Sequence, residues 1–443
     1  MTLRLITKDQ INALKPYQGN ATVTACKNEQ EEIVGYKINA TEANKSKVKK
    51  GDEKESASVK LEEPEIPDIG LFTIVADSYD SDGGNHGKYI KIWTPHNNKE
   101  HFIYFSLVEL NSDNKFFHTL LDKGFQLNVE PAIIKVIKKL FINEAPQYHM
   151  PYITGMGYMQ SLHGYAFPDG SYTKDGQFEV ILDQSKDLPP VDIIGDYAQW
   201  KTEIAGQAVK GKIPSFVMMY SIASMLLPFS DLGTLFLHLW GQSSCGKSLM
   251  LQLAGSVYGS GIDPRVGAGS MIQKWNTTSI AVLDTAQKFN GSILLLDEIG
   301  ECEDTEFQKV IYQINGGVGK SRATSGGRVK KTESWSLLGV SSGEISGRAK
   351  IENSGGEQKE GEAVRFLDIH IQEQIFPGIN DVSTFVESLK HACGQHGGHA
   401  SRDFIKKLLG IADSEETLSE TVLVRVEIAL TRLSKNKTFS SVS

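Results

Sequence analysis

The chain has 443 residues, 40% of them hydrophobic and 23% charged, with a formal net charge of −8. This composition is that of a soluble globular protein and excludes collagenous, disordered and disulfide-framed classes, while the length suggests about two or three domains. The acidic balance gives no global basic field, so any contact with nucleic acid has to come from a local patch. Cys26, Cys245, Cys302 and Cys393 stand far apart, the pattern of reduced thiols, and no apolar h-region follows Met1, so the expected location is the cytoplasm.

Residues 1–40 form an N-terminal segment with no assignable pattern. Residues 41–68 join a basic run (Lys45, Lys47, Lys49, Lys50) to an acidic one (Asp52, Glu53, Glu55, Glu62, Glu63, Glu65) with almost no large apolar side chain. Such a stretch cannot bury enough surface to offset its ordering entropy and reads as a charged linker; a basic DNA-contacting arm is the competing reading. Residues 69–190 show short mixed signals: strands at 89–93 and 101–105, a helix at 132–140, and a hairpin turn at Pro168-Asp169-Gly170. They are expected to form an α+β accessory domain.

Residues 195–375 change to short apolar strands separated by helical stretches, the α/β signature of a parallel sheet. Before it settles into strands, the apolar stretch 213–227 is interrupted by serines and ends at Pro228, short of the ~20 residues a bilayer needs; a buried helix is expected there and no membrane partner. Strands are expected at 235–240, 292–296, 336–341 and 364–371, and residues 376–443 form a short C-terminal helical region.

After the first of these strands comes Gly241-Gln242-Ser243-Ser244-Cys245-Gly246-Lys247-Ser248, which fits G-x-x-x-x-G-K-[ST]. The loop opens an expected helix over 248–258, so its backbone N–H groups can converge on phosphate oxygens at a helix N-terminus. Lys247 would neutralise the β- and γ-phosphates of ATP, and Ser248 would ligate Mg²⁺. About fifty residues later the apolar run Ile293-Leu294-Leu295-Leu296 delivers Asp297 and Glu298 to a strand end. Asp297 is suited to the Mg²⁺ shell and Glu298 to orienting and deprotonating the attacking water.

The strand at 336–341 ends in Ser341-Ser342, where an additional-strand ATPase places a polar sensor of the γ-phosphate; Ser342 is the first candidate and Ser341 the second. Arg365, at the start of the next strand, is the first candidate for an arginine supplied to a neighbouring subunit, and Arg348 the second; an ordinary surface salt bridge is the alternative. Between the Asp297-Glu298 strand and the serine strand, Lys320, Arg322, Arg328, Lys330 and Lys331 flank Gly326-Gly327 with no acid among them. A hairpin here would let these five basic residues track a phosphate backbone; a solvated basic loop is the competing reading.

Gly317-Val318-Gly319-Lys320-Ser321 follows no apolar strand and is not taken as a second phosphate loop. His391, Cys393, His396 and His399 match no familiar zinc spacing, and Trp275 reads as a packing residue before a base-stacking one.

In this order the motifs resemble a bacterial and phage family catalogued as a domain of unknown function, number nine-two-seven. The resemblance rests on Pro168-Asp169-Gly170, Phe236-Leu237-His238-Leu239-Trp240 with the loop that follows, Trp275-Asn276-Thr277, Leu296-Asp297-Glu298, Gly319-Lys320-Ser321-Arg322-Ala323, Ser342-Gly343-Glu344 and Val364-Arg365-Phe366-Leu367-Asp368-Ile369. It covers about residues 70–410. Members resemble helicase-like AAA+ ATPases of mobile elements, including the replicative helicases of staphylococcal cassette chromosomes. The resemblance implies a P-loop NTPase core of the AAA+-like, additional-strand class and a homo-oligomer, a hexameric ring acting on single-stranded or forked DNA. Serine stands at 341–342 where threonine is expected, and the helical region stops soon after Arg432-Leu433-Ser434, so a lid or DNA-binding extension is expected to be missing. The leading function is an ATP-driven DNA translocase of a mobile element or phage. The alternative is a regulatory or defence ATPase that switches assembly on nucleotide binding without translocating. A nucleotide kinase suits the basic hairpin less well, and no Asn-Lys-x-Asp marks a guanine-specific switch.

Overall fold

The computed structural model describes residues 4–39, 67–79, 84–94, 99–128, 130–153, 155–182, 189–230, 232–243, 245–275, 279–319, 334–356, 365–371, 375–412 and 414–434. The chain forms two compact units, residues 1–152 with 178–181, and residues 153–177 with 182–443. The charged stretch 41–66 lies outside the described residues.

In the first unit β1 (Val23–Lys27) and β2 (Ile33–Ile38) form an antiparallel pair. A second antiparallel sheet follows, with β3 (Phe72–Ser78), β4 (Gly87–Trp93) and β5 (Glu100–Ser106) in sequential order. Alternation sends Ile90, Ile92, Ile103 and Phe105 to one face, where they meet Leu120, Ile137 and Phe141 of the helices α1 (Asp113–Asp122) and α2 (Pro131–Asn143). Lys91 points to the opposite face, 1% exposed, with its ammonium 2.7 Å from Glu100 Oε1 and 4.8 Å from the Trp93 ring centre. A buried lysine is tolerated there because carboxylate and ring faces replace its hydration. Val23, Tyr36 and Ile69 share the core of this unit, so the residues before and after the charged stretch fold with it.

The second unit begins earlier than the change in composition near residue 190. Strands β6 (Gly157–Met159), β7 (Gly164–Phe167) and β8 (Gly170–Thr173) form an antiparallel meander, with Pro168 and Asp169 as the turn of the last hairpin. Tyr165, Phe167 and Tyr172 are buried in the large core of this unit, which is why the hairpin belongs with it. The apolar stretch becomes α3 (Lys212–Ala223), continued by a tighter turn over Ser224–Phe229. It is apolar and long enough to cross a membrane, but Pro214, Val217, Met218, Ser221 and Met225 are buried in the protein interior.

The centre of this unit is a five-stranded parallel sheet. Its strands are β9 (Leu235–Trp240), β10 (Ile272–Lys274), β11 (Ile293–Asp297), β12 (Leu338–Gly343) and β13 (Phe366–His370). Their spatial order is β10-β11-β12-β9-β13. Strand ends shift by one or two residues from the expected 292–296 and 336–341, because ladder pairing continues to Asp297 and Gly343 at the C-terminal edge. Ile293, Leu294, Leu295 and Leu296 are all buried, as in a strand covered on both faces. On one face lies α4 (Lys247–Tyr258), buried from Leu249 onward; on the other, Phe307 of α5 (Asp304–Asn315) packs edge-on against Phe366 and Trp275. Each such apolar side chain contributes roughly 1.5–3 kcal/mol relative to exposure. Gly339 is required by close approach, since a Cβ there would lie 2.2 Å from the Phe236 ring. The short helix α6 (Gly347–Asn353) precedes β13, and α7 (Val382–Gln395), α8 (His399–Leu409) and α9 (Glu415–Ser434) complete the expected C-terminal helical region.

Arg402 of α8 fastens three parts of this unit together. Its guanidinium, 2% exposed, pairs with Asp169 of the hairpin turn, donates to Tyr258 O (2.7 Å) at the end of α4 and to Val191 O (2.5 Å), and stacks on Phe167. Of the cluster His391, Cys393, His396 and His399, the last three are packing and hydrogen-bonding residues of the same region, while His391 is exposed. Cys393 is fully buried, His396 Nδ1 accepts from Asp196 N (3.0 Å), and the His399 ring stacks on Tyr197. Arg402→Ala would strand the Asp169 carboxylate and two carbonyls, and is expected to destabilise this unit by about 3 kcal/mol in urea denaturation. A loss below about 1 kcal/mol would show that the fastening is dispensable.

Candidate active site at the edge of the parallel sheet

Parallel strands bring their C-terminal ends to one edge, and in this unit that edge collects the loop, the acidic pair and Ser342. The loop 241–248 leaves β9, Asp297 closes β11, and Ser342 lies near the end of β12. Because β12 is inserted between β9 and β11, Ser342 stands in register with Leu239 on one side and one step beyond the Leu296–Ser341 pair on the other.

Two glycines of the loop are required by the close approach of the chain at Ile371 and Ile375. Gly246 has φ +92° and a Cβ there would lie 2.4 Å from Ile375 Cδ1; a Cβ on Gly241 would lie 2.6 Å from Ile371 O. Gly246 is the N-cap of α4, and no side chain caps that helix, so its first-turn N–H groups open onto the loop. Lys247 Nζ donates to Gly241 O and Gln242 O, both at 2.7 Å, and Ser243 Oγ donates to Glu344 Oε1 at 2.5 Å. Ser244 lies outside the described residues. The uncapped first turn of α4, the Lys247 ammonium, the Ser248 hydroxyl and the Asp297 carboxylate form a donor set that would suit a polyphosphate with a hard divalent cation.

The two adjacent serines point to opposite faces of the sheet. Ser342 Oγ donates to Asp297 Oδ1 (2.5 Å) and accepts from Glu298 N (3.1 Å). Ser341 Oγ, fully buried, bonds instead to His238 Nδ1 (3.0 Å) and Trp275 Nε1 (2.9 Å). Of the two sequence candidates, Ser342 alone touches the acidic pair. Trp275 has no exposure and is a packing residue.

Glu298 occupies left-handed backbone space (φ 58°, ψ 81°), a conformation that costs a non-glycine residue roughly 1–3 kcal/mol and clusters at functional sites. The Ser342 hydroxyl on its N–H helps to hold it there. Its carboxylate accepts from Gly300 N (3.2 Å), capping the short turn Ile299–Glu301. Beyond that turn, the buried Lys350 of α6 pairs with Asp304 (2.6 Å) and donates to Cys302 O (2.5 Å), tying the following segment to α6.

Arg365 and Arg348 are placed elsewhere. Arg365 precedes β13 and its carbonyl accepts from Phe236 N (2.8 Å), at the edge where the strands begin. Five strand residues, about 16 Å, separate that edge from the loop, so Arg365 does not serve its own chain's site. Arg348, in the first turn of α6, is exposed and pairs with Glu352 (2.9 Å). Lys320, Arg322, Arg328, Lys330 and Lys331 lie outside the described residues, but the chain on either side of them is joined by an antiparallel bridge between Val318 and Ser334.

The sequence assigns no role to His238, Glu344 or Lys274, although the first two lie within motifs of the resemblance. Lys274 stands beside Asp297 in the ladder and pairs with Glu301 (3.2 Å). The available signal for His238 was an imidazole at the middle of Leu235-Phe236-Leu237-His238-Leu239-Trp240, where every neighbour is apolar.

Burial pushes the His238 imidazole below its ordinary value of 6.5, against the smaller opposing pull of Ile345 O and Asp368. The unfolded chain therefore takes up a proton near pH 6.5 while the folded protein resists it. This contribution to stability is complete above pH 6.5 and is lost as the pH falls below it towards the depressed folded value. His149 in the first unit acts with the same sign. The melting temperature of the wild type should fall between pH 7 and pH 5, and His238→Gln should flatten part of that fall; an identical slope in both would refute the assignment.

The family model described as "Domain of unknown function (DUF927)" matches residues 43–334. Among solved structures, one described as "SCCmec type IV Cch - active helicase" is similar with a TM-score of 0.58 at 19% identity, over 84% of this chain and 66% of that one. The chain thus spans just under two thirds of that protein's length, and the likeness is one of fold. "The A form apo structure of NrS-1 C terminal region-CTR(305-718)" aligns over 78% of this chain and 70% of that one, at 11% identity and a TM-score of 0.30. No curated protein matches the chain.

Proposed function

The chain belongs to the DUF927 family, and on that premise we propose that it is an ATP-hydrolysing, helicase-like DNA translocase of a mobile element or phage, working in the cytoplasm. The observation that carries this reading is the Ser342 hydroxyl, inserted between the loop strand and the acidic strand and bonded to both Asp297 and the Glu298 amide. That placement is expected of an additional-strand, AAA+-like P-loop NTPase, in which a polar group reads the γ-phosphate beside the metal and the water.

In this reading the α4 N-terminus and the loop Gly241, Gln242, Ser243, Ser244, Cys245 and Gly246 bind the phosphates, the Gly241 N–H itself staying with Gly343 O. Lys247 exchanges its two loop carbonyls for phosphate oxygens. Ser248 and Asp297 would hold Mg²⁺, which supplies charge neutralisation between the β- and γ-phosphates when bound. The backbone of Glu298 is already fixed by Ser342, so releasing its side chain from Gly300 N frees a carboxylate to orient and deprotonate water. Arg365, remote from its own loop, would stabilise transition-state charge in a neighbouring subunit of a hexameric ring, with Arg348 as the alternative.

In this reading Lys320, Arg322, Arg328, Lys330 and Lys331 contact single-stranded or forked DNA, with the affinity falling as salt rises.

Glu298→Gln should retain ATP binding and lose hydrolysis by about 100-fold or more. With ATP, the wild-type protein should displace a strand from a forked duplex and this variant should not. Hydrolysis without displacement on any fork would instead favour a nucleotide-switched assembly ATPase, and wild-type rates in Glu298→Gln would remove Glu298 from the mechanism.

A further inference from the structure

The Ser342 sensor is flanked on both sides by bonds to one buried side chain. His238 has no exposure and lies on the strand that leads into the phosphate loop. Its Nδ1 is 3.0 Å from Ser341 Oγ and its Nε2 is 2.9 Å from Ile345 O. The direction of every bond in this chain is fixed by chemistry. A carbonyl only accepts, so Nε2 carries the proton and donates to Ile345 O; an indole only donates, so Trp275 Nε1 donates to Ser341 Oγ. The Ser341 proton is then left for Nδ1, and a neutral imidazole completes the network with every buried polar group satisfied.

The two contacts bracket residues 342–344. Within that bracket Ser342 bonds to Asp297 and the Glu298 amide, and Glu344 accepts from Ser243 of the phosphate loop. Three side-chain hydrogen bonds therefore converge on a segment whose ends are held by a single imidazole. Phe366 stacks on that ring at 5.4 Å, and a Cβ on Gly343 would meet both Ile299 and the imidazole, so the ring is closely packed where it stands.

We propose that His238 is a positioning residue for the catalytic edge: by holding Ser341 Oγ and Ile345 O it sets where Ser342 and Glu344 stand relative to the acidic pair and the phosphate loop. The proposal rests on the ATPase reading above for its kinetic consequence, but not for its structural one. A side chain that acts through another group in this way should affect turnover while leaving substrate affinity nearly unchanged, because the loop's own phosphate contacts are untouched. Glutamine can replace the imidazole in kind, with an amide N–H for Ile345 O and an amide oxygen for the Ser341 proton.

The test compares wild type, His238→Ala, His238→Gln and Ser341→Ala in the full chain. Steady-state ATP hydrolysis is measured together with amide hydrogen exchange of peptides spanning residues 341–347. His238→Ala is expected to lower kcat on the order of 10- to 100-fold, with KM within about threefold, and to speed exchange in that segment. His238→Gln should recover most of both, and Ser341→Ala should fall between. Unchanged exchange in a folded His238→Ala overturns the proposal, as does a glutamine variant that melts like wild type yet behaves like alanine. If the wild type proves not to hydrolyse ATP, the functional reading fails, and the exchange comparison alone then decides the positioning claim. Should His238→Ala not fold, Ser341→Ala and His238→Gln carry the same comparison.

Discussion

Ser342 has one proton to give, and it gives it to Asp297 while its lone pair receives the Glu298 amide. That arrangement exists because β12 lies between β9 and β11 rather than at the edge of the sheet. Had β11 paired directly with β9, the acids would adjoin the loop with nothing to hold Glu298 in its left-handed conformation. Strand order, hydroxyl and backbone strain are thus one constraint seen at three scales, and the packing behind them serves to keep that order. Gly339 lets Phe236 approach, Trp275 and Phe307 fill the opposite face, and α4 covers the near one.

Much of this was legible in the sequence because the relevant signals are local. The run from Leu235 to Ser248 combines a strand and a loop whose glycines have a defined use, and the Asp297-Glu298 pair ends an unbroken apolar strand. The hairpin at Pro168-Asp169-Gly170 is equally local, and β7 and β8 pair across it. Contacts that join distant positions were not legible. Arg402 meets a turn more than two hundred residues earlier, and its burial depends on a core that no window of sequence reveals. Which of Ser341 and Ser342 faces the acids depends on pleat parity, which flips with a one-residue change in register. A strand boundary misread by one residue is enough to leave it open.

The same logic explains why the domain boundary and the role of His238 went unseen. Composition changes near residue 190, but Tyr165, Phe167 and Tyr172 commit the preceding meander to the larger core. A histidine inside an apolar strand is visible as an anomaly, yet its meaning comes from Ile345 and Ser341, more than a hundred residues away. The two groups it serves adjoin Ser342 and Glu344 in the chain, so the polar network on one face of the sheet and the catalytic candidates on the other share strands β9 and β12.

The account turns on whether the loop 241–248 holds a nucleotide, and calorimetric titration of Mg-ATP into the wild type and Lys247→Ala measures this directly. The ammonium contributes charge-assisted hydrogen bonds worth about 1.5–3 kcal/mol each, so the account predicts saturable binding by the wild type and affinity weaker by at least about tenfold in the variant. Equal affinity in the two proteins, or no binding by the wild type, would contradict it.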